Sequence, residues 1–233
     1  VFEIGPTFFG KNPGEQQIVV GGLKSGKVNR KSWLDEERNI DVFDVKSDVI
    51  RTLEELGIEQ KDLFVSDNTK NCYHPGRSGS INLKSTKGPH LAYFGEMHPA
   101  LIKNLNFKDI NIFGFEIFLK NIPEPNKKLR QNKKSFQASA FQKSERDFAF
   151  VIDNIFKIGV LEKIIKEVNE KIIQKVITFD VYEGENIPKE KKSVAINVTL
   201  QAPDKTLTEK DLDQISKNII KVVSEKTGAT IRS

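Results

Sequence analysis

Gly21, four residues, then Gly26-Lys27 has almost the spacing of a phosphate-binding loop, in which glycine N–H groups and a lysine cradle phosphates at a helix N-terminus. It follows a strand-like run, IVVGG. Yet Val28 stands where a Ser or Thr hydroxyl would hold magnesium, and NRKSW opens no helix, so a hairpin turn is expected. Cys72 and His74 are two apart, close enough on a strand to share a face as nucleophile and base. No third group orients that imidazole. His74, His90 and His98 have no companions at metal-ligand spacing. Arg77, beside Gly76 and Gly79, has two readings, an anion contact or a structural salt bridge.

Tyr182 is different in kind. In TFDVY and KSVAINVTLQ apolar residues alternate as on strands with one buried face. Ile177, Phe179 and Val181 share a phase, as do Val194, Ile196, Val198 and Leu200. A second face is then left to Thr178, Asp180 and Tyr182, with Ser193, Ala195, Asn197, Thr199 and Gln201. A phenol ring there, beside a serine hydroxyl and near Lys189, Lys191 and Lys192, could stack a nucleobase, an interaction of ~1–3 kcal/mol, while lysines attract phosphate. Two other readings stand beside it: a solvated face, or a surface that docks another protein.

The elements that must hold this face are legible around it. Arg146 to Asp153 (RDFAFVID) alternates with Phe148, Phe150 and Ile152 inward, which places Asp147, Ala149 and Val151 on the bare face. Ile158, Leu161, Ile164, Ile165 and Val168 recur at helical spacing. A second helix opens at Thr208, three before Asp211 in a capping-box pattern. It buries Leu212, Ile215, Ile219 and Val222, and Gly228 stops it. With a last strand at 229–232 the order is βαββαβ, a split arrangement that sets both helices on one side of a four-stranded antiparallel sheet. RNA-recognition modules expose strands in this way.

The first 120 residues suggest an α+β domain, with strands near 2–9, 17–23, 80–84, 91–95 and 112–119. One helix spans about 44–56, ended by Gly57. Between the halves, 121–136 reads NIPEPNKKLRQNKKSF, with five basic residues and one acidic. Prolines, asparagines and no apolar period mark a linker. Its lysines either solvate an exposed segment or add phosphate attraction. Elsewhere charge nearly balances, since the chain totals +5. No apolar run approaches the ~20 residues of a membrane span. One cysteine points to a reducing, cytoplasmic setting, and a first residue already inside a strand-like run suggests a piece of a longer protein.

These stretches, in their order, resemble a known family. SERDFAFVID, TFDVYEG, IPKEKKSVAINVTLQ, KTLTEKDLDQ and KTGATIR are similar to the ferredoxin-fold anticodon-binding domain at the C-terminus of the bacterial phenylalanyl-tRNA synthetase β subunit. FEIG at Phe2, EQ at Glu15, GL at Gly22, Trp33, FDVKSDV at Phe43, HPGRSG at His74, GEMHP at Gly95 and FEIFL at Phe115 are similar to its catalytic-like module. The resemblance covers essentially the whole chain. It implies a class II synthetase-like antiparallel sheet domain at 1–120, incomplete and non-catalytic, a basic linker at 121–136, and a ferredoxin-like βαββαβ domain at 137–233.

It also implies an α2β2 ligase that uses ATP and magnesium to join phenylalanine to tRNA(Phe). The catalytic site belongs to the α subunit, and this fragment binds no cofactor itself. Active class II enzymes carry Phe-Arg-x-Glu where this chain has Phe2-Glu3-Ile4-Gly5, and Ile117 replaces the third motif's arginine. The carried-over RNA-binding positions are Ala149, Tyr182 and Ser193, with Asp180 and Lys192 beside them. Partners implied are tRNA(Phe) and the α subunit, with no membrane. The family's editing and N-terminal tRNA-binding parts lie outside this sequence.

Overall fold

The computed structural model describes residues 1–29, 33, 37–107, 110–124 and 139–232, and the chain divides into two compact units, Val1–Ser135 and Phe136–Ser233. Among the described residues no helix is long and apolar enough to cross a membrane. From 125 onward the stretch read as a linker lies outside the described residues. Its first residues are packed, contrary to expectation. Asn121 ends a 3-10 turn and donates to the His90 carbonyl at 2.7 Å, while Ile122 rests on the first core.

In the first unit β1 (Phe2–Phe8), β2 (Gln16–Ser25), β3 (Leu63–Ser66), β4 (Tyr73–Leu83), β5 (His90–Met97) and β6 (Ile112–Phe118) form one antiparallel sheet, in the order β1-β2-β6-β5-β4-β3. Helix α1 (Val42–Glu55) lies over β5 and β6, because Val45, Val49 and Leu53 form an apolar stripe buried with Ile81, Leu91, Ala92 and Ile117. Its start is a reciprocal cap: Asp41 accepts from the N–H groups of Phe43 and Asp44, and Asp44 accepts from that of Asp41. Arg38 grips both oxygens of Asp44, at 2.8 and 2.7 Å. Gly57, at φ 94°, follows the helix in the left-handed region.

Sequence periodicity passes over β3 and over α2 (Pro99–Asn104), four and six residues long, since neither is long enough to show a period. Helix α2 is capped by His98, whose Nδ1 accepts from the Ala100 N–H at 3.2 Å.

The second unit is βαββαβ as expected, with β7 (Ser144–Asp153), α3 (Ile158–Val168), β8 (Ile173–Tyr182), β9 (Lys191–Leu200), α4 (Glu209–Thr227) and β10 (Thr230–Ile231). Its antiparallel sheet runs β10-β7-β9-β8. Phe148, Phe150 and Ile152 of β7 and the four aliphatics of β9 pack under Leu161, Ile164 and Ile165 of α3 and Leu212, Ile219 and Val223 of α4. Val223, fully buried, takes the place foreseen for Val222, which is partly buried. The Thr208–Asp211 box opens α4 and Gly228, at φ 68°, closes it.

Strand β8 departs from simple alternation. Thr178 stands opposite Ile196, and Asp180 opposite the next residue, Ala195, so Phe179 is an extra residue that reverses the phase. Upstream of it Val176 and Thr178 face the helices, and Ile177 is opposite Asn197 on the open side. Downstream the expected phase holds: Val181 opposes Val194, and Tyr182 opposes Ser193. Thr199 and Gln201 are also less bare than alternation predicts. Both are buried, and the Gln201 amide donates to the Phe141 carbonyl at 2.6 Å as residues before β7 return across that end.

Two outcomes check these ends. The Arg38 hydrogen bonds hold the Asp44 carboxyl down from 3.8 to about 2. A carboxyl depressed in the fold contributes stability that is complete above its ordinary value and is lost as pH falls toward the folded one. Arg38→Gln should raise the Asp44 titration in carboxyl-carbon NMR, and the stability gap from the parent in urea should narrow as pH drops below 4. Thr208→Ala should destabilise the second unit by about 1 kcal/mol, read as a lower urea midpoint with unchanged slope.

Candidate nucleic-acid interface

The side of the second sheet away from its helices is laid out in cross-strand rows. Thr230, Val151, Ser193 and Tyr182 form one row. In the next, the Arg232 N–H donates to the Ala149 carbonyl at 2.7 Å, and Ala149 is followed by Ala195 and Asp180. Asp147, Asn197 and Ile177 make a third. Ala149 and Ala195 are half-buried and Ser193 is 4% exposed, so the middle strands supply a floor of small side chains.

Two long side chains lean over that floor from opposite edges. Strands β10 and β8 are three spacings apart, roughly 14 Å, yet the Arg232 guanidinium carbon lies 5.6 Å from the centre of the Tyr182 ring. The side chains between them, Ser193 and Val151 in one row and Ala149 and Ala195 in the next, are short enough to leave room for this cation–π contact. Tyr182 keeps 39% of its surface exposed, and its hydroxyl donates to the Glu185 carbonyl at 3.4 Å. Gly184 lets the ring lie close: a Cβ there would fall 2.6 Å from the phenol oxygen, and the ring would have to shift.

Of the residues expected here, Ala149, Tyr182, Ser193 and Asp180 share the open side, with Asp180 exposed and Ser193 recessed. Lys192 does not join them. It stands opposite Ile152 on the helix side, and its ammonium donates to the Asn154 carbonyl at 2.8 Å. Alternation leaves the open side to its neighbour Lys191, opposite Asp153. Arg232 was overlooked, although counting two residues on from Thr230 reaches it. Lys175, Lys191 and Arg232 share the face with Glu145, Asp147, Asp153 and Asp180. Phosphate attraction there is therefore weak, and stacking and hydrogen bonding are what the surface offers. A free carboxylate accepts from base amino groups.

The first unit offers no comparable chemistry at the positions considered. Gly21 and Gly22 are mid-strand, opposite Glu116 and Phe115, and the Phe115 ring occupies the place of a Gly22 Cβ. Lys27 pairs with Glu37 at 3.5 Å. Burial, with Glu116 nearby, raises the Cys72 thiol, and His74 Nδ1 already accepts from the Gly76 N–H at 3.0 Å. Arg77 is in a two-pronged salt bridge with buried Glu96. Ile117 is fully buried in the core.

A groove of about 540 Å³ lies on the sheet among Glu3, Gly21, Cys72, Tyr73, Met97 and Glu116. Its charged side chains are carboxylates, and Glu116 is held by Lys70 at 2.7 Å. With no lysine or arginine among its lining residues, the groove offers nucleotide phosphates no cation, so it does not fit ATP. Among the described residues there is no group of three or more His, Cys, Asp or Glu able to hold a metal.

Comparison with known proteins accounts for both units. Residues 1–119 match the phenylalanyl-tRNA synthetase beta chain CLM domain, and residues 139–232 match the ferredoxin-fold anticodon binding domain. The phenylalanine–tRNA ligase beta subunit of Paramagnetospirillum magneticum is 36% identical over 232 residues, and that of Rhodospirillum rubrum is 36% identical over 233. The same subunit of Bartonella henselae is 36% identical over 236. Each alignment covers 100% of this chain and 29% of the relative, so the chain spans less than a third of the length of the curated relatives it matches. With family matches over both units, one of them spanning half the chain, the chain belongs to the phenylalanyl-tRNA synthetase β-chain family.

Proposed function

We propose that the second unit, 137–233, binds the anticodon of tRNA(Phe) on its open sheet face, and that the first, 1–120, scaffolds the α subunit of an α2β2 phenylalanine–tRNA ligase in the cytoplasm. The observation that carries this is the half-exposed Tyr182 ring beside the small floor of Ala149, Ala195 and Ser193, with Arg232 over it, in a segment matching an anticodon-binding family. A flat ring over a shallow floor stacks bases of any identity. Tyr182 is the stacking group. Ser193 supplies a hydroxyl from the floor, Asp180 a carboxylate acceptor, and Ala149 leaves room for the base. Arg232 adds a guanidinium that is charged at all physiological pH and stacks on planar groups.

ATP and magnesium are used elsewhere in the holoenzyme. The groove of the first unit has Glu3 and Glu116 as its charged lining side chains and no lysine or arginine to hold phosphates, which supports reading this chain as a non-catalytic part. Incubated alone with ATP, magnesium and phenylalanine, it should form no phenylalanyl-adenylate, assayed by pyrophosphate exchange.

Titration of the full chain with tRNA(Phe) tests the main reading. Tyr182→Ala should weaken binding by about 1–3 kcal/mol while thermal unfolding stays unchanged, because the ring lies outside the core. Replacing the anticodon bases should weaken binding by the parent chain. Equal affinity of parent and variant for tRNA, or association only with the α subunit and no RNA, would instead make the open face a protein-docking surface.

A further inference from the structure

Strand β8 gives up a burial that its own sequence allows. Read as a regular strand, 177–181 would place Ile177, Phe179 and Val181 together under the helices. Instead Thr178 opposes Ile196 and Asp180 opposes Ala195, Phe179 falls between them without a partner, the phase reverses, and Ile177 and Phe179 are left 37% and 59% exposed. The inward place goes to Thr178, whose N–H and hydroxyl donate to one Glu162 oxygen of α3 at 3.2 and 2.7 Å. A bulge of this kind re-aims a side chain and recurs next to functional sites. A fold that exposes a phenyl ring and secures a hydroxyl beneath a helix in its stead departs from local preference where function is expected.

We propose that Phe179 is a second stacking platform for an unpaired nucleobase, alongside Tyr182; this rests on the open face being an RNA surface. Phe179 stands three positions before Tyr182, about 10 Å of strand rise, so each ring would take a different base of one loop. Asp180, the residue after it, lies in the row of Ala149 and Ala195, so the exposed Phe179 adjoins the floor beside the Tyr182 and Arg232 site. Its ring has no hydrogen-bonding atom and so selects a π-face, not a base identity. The bulged edge of β8 is poorly suited to adding a peptide strand. Asp180, beside it in the strand, supplies an acceptor for base amino groups, not the apolar rim that a docking helix needs.

The experiment uses the full chain and an anticodon-loop RNA hairpin carrying 2-aminopurine at one loop position at a time, whose fluorescence is quenched by stacking. Phe179→Leu keeps an apolar side chain but removes the ring, and should weaken binding roughly 5- to 150-fold. It should also abolish quenching at one position, while Tyr182→Ala abolishes it at another. Phe179→Trp should restore both affinity and quenching, and shows that the position tolerates replacement without unfolding. If Phe179→Leu binds like the parent while Tyr182→Ala is weakened, the second platform is wrong and the anticodon reading stands. If neither variant weakens binding, both are wrong.

Discussion

Strand β9 carries Val194, Ile196, Val198 and Leu200 at zero exposure, and what the rest of the second unit presents depends on that buried row. Each such side chain stabilises the fold by about 1.5–3 kcal/mol through burial. A slip of one residue would turn all four to water and bring Ala195, Asn197 and Thr199 under the helices. Register across β9 is therefore locked. Because β9 is central, with β7 on one flank and β8 on the other, the lock propagates to both neighbours and settles that Ala149, Ser193 and Tyr182 share the uncovered side.

Within that frame, side-chain size does the next work. Between the edges the central strands carry Ala149, Ala195, Ser193 and Val151 on the open side, while Arg232 and Tyr182 stand at the edges. Small residues in the middle and long ones at the rim make a shallow tray, over which Arg232 and Tyr182 meet. Larger residues at 149 or 195 would fill it and part them. The tray is poor in net positive charge, which suits recognition of base faces and edges more than of backbone phosphates.

The first unit shows the same economy turned toward support. Its antiparallel sheet and covering helix form an ordinary apolar core, and charged groups that could have met a ligand meet each other: Arg77 with Glu96, Lys70 with Glu116, Lys24 with Asp48. Lys70 also sits 5.2 Å from the ring centres of both Tyr93 and Phe118. These cations are already neutralised, and the groove on the sheet is mostly apolar, with Glu3 and Glu116 as its charged side chains.

What the sequence determined by itself is what repeats along a chain: the alternation of β7 and β9, the helical stripes of α1, α3 and α4, the Thr208–Asp211 cap and the stop at Gly228. These are local preferences reinforced by burial, so a linear reading reaches them, and through them the side on which Ala149, Tyr182 and Ser193 stand. The tertiary structure alone decided three things. Phe179 bulges because Thr178 finds Glu162 on a helix distant in sequence, which no count of alternation in β8 reveals. Lys192, which alternation in β9 already sets on the helix side, gives its ammonium to the Asn154 carbonyl, a partner in a distant loop that no pattern in β9 reveals. Arg232 reaches Tyr182 because β10 and β8, the last and second strands of the unit in chain order, become opposite edges of one sheet, a proximity set by strand order and not by sequence distance.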